Sequence, residues 1–225
     1  MKLYHHPVST TSRPVVLFAA ESGIALDYQI VDLFTGEQYK PEFSAINPSH
    51  QVPVLEDGDF RLTESSAILK YLAEKADSPA YPKDLRQRAR VNERMDWFNT
   101  GFYRDFAYGL VYPQIFDFMR RPDEKVQAGT VAWGKEKALP WLQILNEDLI
   151  GPRNGFVCGD AITIADYLGA TMTLGGEVIR CNLAAYPNIS RWLANMKALK
   201  NWNKVNEAFY QYVVAPNKEK EFVRV

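Results

Sequence analysis

Cysteine is scarce in this sequence. Only Cys158 and Cys181 occur among 225 residues, too few for the disulfide framework of a small secreted domain, so a reduced, cytoplasmic setting is expected. Histidine is limited to His5, His6 and His50. With so few, and with no Cys-x-x-Cys or His-Glu-x-x-His, no metal site is expected. Neither sign of charge dominates: 26 Lys and Arg face 27 Asp and Glu, for a net charge of −1. That leaves no electrostatic footprint for nucleic acid or an anionic membrane surface. No apolar run approaches the roughly 18 residues of a membrane span. The start, Met1 to His6, lacks the long apolar core and small-residue cleavage site of a signal peptide. The remaining composition, 47% hydrophobic and 24% charged, places the chain among globular proteins.

The first third alternates short strands and helices. Residues 2–5 read as a strand, and 7–12 as a polar loop. Residues 13–22 carry the helical stripe Val15, Val16, Phe18, Ala19 and Ala20, with Gly23 as a stop. A second strand is expected at 28–31 and a short irregular helix at 40–46. Val54-Leu55-Glu56, Asp57-Gly58 and Phe60-Arg61-Leu62 read as a hairpin. A helix over 64–75 closes an α/β unit. Residues 76–85 hold two prolines and no period, which marks a linker.

Everything beyond the linker reads as helical. Residues 86–119 carry Met95, Trp97, Phe98, Phe102, Phe106, Leu110 and Ile115 as an apolar stripe, with a bend expected near Gly109 and Pro113. A second long helix is expected over 123–149, kinked or broken at Pro140. Thr163 and Asp166 form a capping-box pattern at the start of a third, a folding device rather than a site. Shorter helices follow over 189–199 and 202–212, then a charged, extended tail from Pro216.

The most informative stretch is Asn47 to Leu55 running into Phe60 to Ile68. Val52-Pro53 opens a β-branched run, where a proline without an N–H is tolerated. The backbone N–H and C=O of Val52 are candidates to pair with an extended peptide ligand. Glu64-Ser65 then opens a helix, whose free N–H groups and hydroxyl suit a carboxylate.

Val52-Pro53 followed by a hairpin and Glu64-Ser65-Ser66-Ala67-Ile68-Leu69-Lys70-Tyr71-Leu72 resembles the glutathione transferases over most of the chain. The resemblance implies a thioredoxin-like α/β domain over 1–76 followed by an all-α helical domain over 86–225. It implies glutathione as co-substrate, a small hydrophobic electrophile, a homodimer and a detoxification role.

A transferase of this kind activates a thiol, whose free pKa of about 8.5 leaves it protonated at neutral pH. A hydroxyl donor at a helix N-terminus favours the thiolate. The loop Pro7 to Arg13 offers Ser9, Thr10, Thr11 and Ser12. A cluster of this kind before a helix is also what an N-cap requires. In serine-type members, theta and delta, the catalytic serine lies four residues before an arginine, which is Ser9 here. Tyr4 lies near the position used by tyrosine-type members. Arg13 is expected to bridge the loop to acidic partners. The resemblance assigns the γ-glutamyl end to Glu64 and Ser65, the cysteinyl backbone to Val52 beside Pro53, and the glycyl carboxylate to His50 and Gln51, with Gln38 near another contact. Phe102, Tyr103, Phe106, Phe209 and Tyr212 are expected to line the second-substrate pocket. Where theta members use charged residues on the long helix, this chain has Asn99, Thr100, Tyr103 and Arg104. A dehalogenase, a peroxidase or a non-catalytic transferase-like module are the alternatives.

Overall fold

The computed structural model describes Met1 to Val225. Strand β1, Lys2–His5, alternates so that Leu3 and His5 turn inward. Helix α1, Ser12–Glu21, crosses to β2, Asp27–Ile30, which lies parallel to β1. A parallel neighbour needs such a crossover. A 3₁₀ turn, Glu37–Tyr39, and helix α2, Pro41–Ser44, occupy the region expected as one irregular helix. Strand β3, Val54–Asp57, runs antiparallel to β1 and forms a hairpin with β4, Phe60–Leu62. Gly58 takes the first of two turn positions at φ 64°, a conformation that suits glycine. The sheet order is β2-β1-β3-β4. Helix α3, Ser65–Lys75, completes a thioredoxin-like unit.

The helical part starts at α4, Leu85–Trp97, where the Asp84 carboxylate accepts from the N–H of Arg86 and Gln87 at 3.1 and 2.9 Å. The long helix expected to reach residue 119 stops earlier. It continues through a π-type stretch, Phe98–Val111, and a last α turn, α5, Tyr112–Ile115. Phe116 then leaves the helical region, with φ −117° and ψ 117°. Helix α6, Glu124–Ile144, runs on across Pro140, so the break expected there is absent. A Cβ on Gly134 would lie 2.0 Å from the carbonyl oxygen of Gly109. Only glycine at 134 permits this backbone approach, which accounts for a glycine inside a long helix.

Helix α7, Ile164–Thr173, is buried along its whole length and is the centre of the helical layer. Its capping box forms as the Thr163-x-x-Asp166 pattern predicts. Helix α8, Gly175–Val178, is a single turn. Helices α9, Pro187–Lys197, and α10, Trp202–Phe209, follow, the latter extended by a π-type turn, Tyr210–Val214. The tail is docked rather than merely extended. The Gln114 side chain clasps the backbone of Val223 from both sides, at 2.9 and 2.8 Å, and the Asn182 N–H donates to the Val225 carbonyl at 2.8 Å.

One apolar core runs through both halves. Phe18 of α1 meets Tyr167 of α7 edge to face, with ring centroids 5.3 Å apart. Both are buried. Burying a side chain of this size is worth about 2–3 kcal/mol, so this contact fixes α1 against the helices. The loop leading into α1 is thereby held at the seam between sheet and helical layer.

Candidate active site

The loop ahead of α1 places four hydroxyls close together, and their hydrogen bonds separate them. The Ser9 backbone folds back, its N–H on the His6 carbonyl at 3.0 Å and its carbonyl accepting from Arg13 N–H at 3.1 Å. Ser9 Oγ accepts from the Ser12 N–H at 3.2 Å and lies 3.2 Å from Thr11 Oγ1. Thr11 Oγ1 donates to the Val52 carbonyl at 2.9 Å. A hydroxyl has one proton. With the Thr11 proton on Val52, the Ser9–Thr11 bond is donated by Ser9. Ser12 is wholly buried and its Oγ has no partner, so it packs in the core and faces no ligand. Tyr4 donates to Glu56 at 3.0 Å and is committed elsewhere.

Arg13 differs from the expectation. No acidic group pairs with it. It is 1% exposed, its Nη1 donates to Asn206 Oδ1 at 2.6 Å, and its guanidinium lies 4.0 Å over the Phe209 ring. Burial lowers its pKa to about 10, which leaves it cationic at neutral pH. A positive charge and the N-terminal end of α1 act in the same direction, favouring an anion near Ser9. The two neighbouring imidazoles contribute no charge. Burial holds His5 down to about 4. His6 is lowered by burial too, despite the opposing pull of Asp32, and its Nδ1 accepts from the Val8 N–H at 3.3 Å.

The Val52–Pro53 peptide is cis. The Val52 N–H has no protein acceptor, whereas its carbonyl already holds one donor, Thr11. The hairpin register pairs Leu55 with Leu62. Glu64 sits at φ 64° and ψ 113°, a strained conformation for a residue with a side chain. Its carboxylate makes no ion pair, and no side chain caps the first N–H groups of α3. Ser65 is buried at that end. His50, also at positive φ, places Nδ1 2.9 Å from the Gln38 carbonyl and 3.2 Å from Ser44 Oγ. A carbonyl only accepts, so Nδ1 carries the hydrogen and Nε2 is left without a protein partner. Gln51 is exposed, with its carbonyl held by Asn47 Nδ2 at 2.8 Å. Hydrogen bonds tie Ser9 through Thr11 to Val52, which leads through Pro53 into β3, while Glu64 and Ser65 follow β4 of the same hairpin at the start of α3 and His50 and Gln51 precede Val52 in its loop.

The aromatic residues expected to line a second pocket separate into two groups. Phe102 and Phe106 are fully buried and stack on each other with centroids 4.9 Å apart. They are core: four residues apart on one helix face, both rings are fully buried. Phe209 is buried against Arg13 and is core as well. Tyr212 is 57% exposed, outside any enclosed pocket. Tyr103 does reach the site region: its hydroxyl lies 2.8 Å from that of Tyr112, which donates to Thr10 Oγ1 at 2.9 Å. Tyr112 was absent from the sequence expectation. Its partner is 102 residues away, and no local pattern announces such a contact.

Residues 1–74 match the family model described as glutathione S-transferase, N-terminal domain, and residues 112–200 match its C-terminal domain. The chain is 32% identical over 219 residues to glutathione S-transferase D7 of Drosophila melanogaster, covering 94% of this chain and 91% of that one. Among solved structures, a delta-class glutathione transferase of Nilaparvata lugens is 31% identical with a TM-score of 0.78, covering 96% of this chain and 98% of that one. An epsilon-class glutathione S-transferase from housefly, Musca domestica, is 26% identical with a TM-score of 0.82, covering 99% of both.

Proposed function

The chain belongs to the glutathione transferase family, and on that premise we propose that it is a serine-type member in which Ser9 activates the glutathione thiol for attack on an electrophilic carbon in an apolar pocket. The observation that carries this reading is Ser9 Oγ itself, held by the Ser12 N–H at the start of α1 with its own proton available once the bond to Thr11 opens.

A thiol at pKa about 8.5 is a few per cent ionised at neutral pH. Lowering that by two units requires about 2.7 kcal/mol of preference for the anion. A hydrogen bond to a charged group supplies about 1.5–3 kcal/mol, so one hydroxyl with the α1 terminus behind it is of the right size. The γ-glutamyl carboxylate is assigned to Ser65 and the N–H groups of α3, its ammonium to Glu64, the cysteinyl backbone to Val52, and the glycyl carboxylate to His50 and Gln51. Residues 1–76 form the glutathione domain in this reading, and 86–225 the electrophile side. A cytoplasmic homodimer with a detoxifying role fits the family pattern.

Calorimetric titration with glutathione, followed by conjugation assays with a chloro-nitrobenzene and a small haloalkane, tests the reading. Binding with conjugation supports it. Halide release confined to the haloalkane would assign a dehalogenase. Binding without turnover on either compound, or on a hydroperoxide, would favour a non-catalytic module.

A further inference from the structure

We infer that the cleft between α1, α10 and the edge strand β2 is a second ligand site, built around the Arg13 guanidinium and shaped for a small carboxylate with a compact apolar body.

The cleft has a volume of about 320 Å³, and none of the residues assigned to glutathione lines it. Arg13, Val16 and Ala20 form one wall; spaced three and four residues apart, they share a face of α1. Lys204 and Val205 of α10 form a second wall. Tyr28 of β2 forms a third, its ring edge to face with His5 at 5.2 Å between centroids. Tyr28 and Lys204 are exposed, so the cleft is open to solvent at those residues.

Arg13 makes this a site rather than a gap in the packing. One edge of its guanidinium is in use: Nη1 donates to Asn206 Oδ1, and Asn206 is held in that orientation by its Nδ2, which donates to the Trp202 carbonyl at 2.9 Å. One face is in use as well, over Phe209. Nε and Nη2 are buried and have no protein acceptor. These two nitrogens form the edge of a guanidinium that takes the two oxygens of a carboxylate in parallel. A buried charged donor without an acceptor is costly, so receiving one is favourable. His5 Nδ1, on the same lining, is also buried without a partner.

No acidic side chain lines the cleft, whereas Arg13 and Lys204 both carry positive charge there. Two carboxylates touch lining residues, and each is engaged. Glu21 accepts from the Asn201 N–H and Nδ2 at 2.7 and 2.9 Å. Asp32 accepts from the Phe34 N–H at 2.9 Å and lies 4.0 Å from His6 Nε2. The other surfaces set the body of the ligand. Val16, Ala20, Val205 and the Tyr28 ring are apolar, so a carboxylate carrying a ring or a short branched chain buries it against them. Benzoate is the simplest such probe.

Calorimetric titration of the full chain with benzoate, benzamide and inorganic phosphate, with and without saturating S-methylglutathione, tests the site. Benzoate is expected to bind in both conditions. It should bind at least about 10-fold tighter than benzamide, which lacks the charge, and than phosphate, which lacks the ring. Lys204→Glu, an exposed change that leaves the fold intact, should weaken benzoate about 3- to 10-fold. Ala20→Leu, which fills the cleft, should weaken it about 10-fold. Arg13→Met, in protein shown to be folded by circular dichroism, should weaken it at least about 100-fold. Displacement of benzoate by S-methylglutathione would put the carboxylate in the glutathione site and overturn the inference. Absence of benzoate binding, equal binding of benzamide or phosphate, or an affinity unchanged in both Lys204→Glu and Ala20→Leu would overturn it too. Should S-methylglutathione itself fail to bind, the proposed function falls, while the variants still decide the cleft.

Discussion

The Thr11 hydroxyl donates to the Val52 carbonyl at 2.9 Å, joining the loop before α1 to the loop before β3 across 41 residues of chain. In the ligand-free protein this leaves Ser9 donating to Thr11. The Val52 carbonyl has a second lone pair, so it can accept the N–H of a bound peptide beside the Thr11 hydroxyl.

Ser9→Ala is expected to lower conjugation turnover by roughly 10- to 1000-fold, the range for losing one preorganised donor. The Ser12 N–H loses a side-chain acceptor, so stability should fall by about 1 kcal/mol. Glutathione affinity, set by the other residues assigned to it, should change by a few-fold at most. Steady-state kinetics beside calorimetry reads both quantities, and undiminished turnover would refute the assignment.

Glu64 holds a backbone conformation that costs about 1–3 kcal/mol for a residue with a side chain. Glu64→Gly removes that strain at an entropic cost of up to about 1 kcal/mol. The variant should be at least as stable as the parent by thermal unfolding. Its glutathione Kd should nonetheless rise about 10- to 100-fold, since an ionic hydrogen bond to the ammonium is lost. A more stable protein that binds glutathione as tightly as before would take Glu64 out of the γ-glutamyl site.

His5 is buried, and burial brings its pKa down to about 4. The unfolded chain takes up that proton near 6.5, the folded protein only near 4. Stability from this residue is therefore complete above 6.5 and is lost as pH falls through the window down to 4. Between pH 7 and pH 5 the contribution is about 1 kcal/mol after discounting for screening. Urea denaturation at the two pH values should show His5→Gln losing about that much less than the parent. Equal losses would mean that His5 takes no part.

Asp166 accepts from the N–H of Val157 and Thr163 at 2.8 Å each, and from Thr163 Oγ1 and Trp192 Nε1 at 2.9 Å each. Asp166→Ala leaves several buried donors unpaired, at about 1–3 kcal/mol apiece. We expect a loss of at least about 3 kcal/mol, a drop in Tm of about 6–12 °C. Folded protein at low temperature should still bind glutathione, because no Asp166 contact reaches a residue assigned to it. A loss of binding in protein shown to be folded would contradict the structural role.

Local chemistry is what a linear sequence carries, and the features legible in it were local. Val52-Pro53, the Gly58 turn, Glu64-Ser65 at the start of α3 and the Thr163-x-x-Asp166 box each depend on residues a few positions apart, so their spacing alone marked them. The alternation of strand and helix, and the long apolar stripe after the linker, followed from periods of 2 and 3.6. What only tertiary structure decided were contacts between distant segments. Phe102, Tyr103 and Phe106 read alike as pocket aromatics, yet Phe102 and Phe106 are sealed in the core while the Tyr103 hydroxyl meets that of Tyr112. Arg13 found Asn206 and Phe209 rather than a carboxylate, because α10 docks over α1 nearly 200 residues later. The proton count that separates Ser9, Thr10, Thr11 and Ser12 depended on Val52 and Tyr112, and no window around the loop contains either. Sequence patterns report what a segment prefers by itself, whereas the direction of a hydrogen bond is set by whichever partner the fold brings within 3 Å.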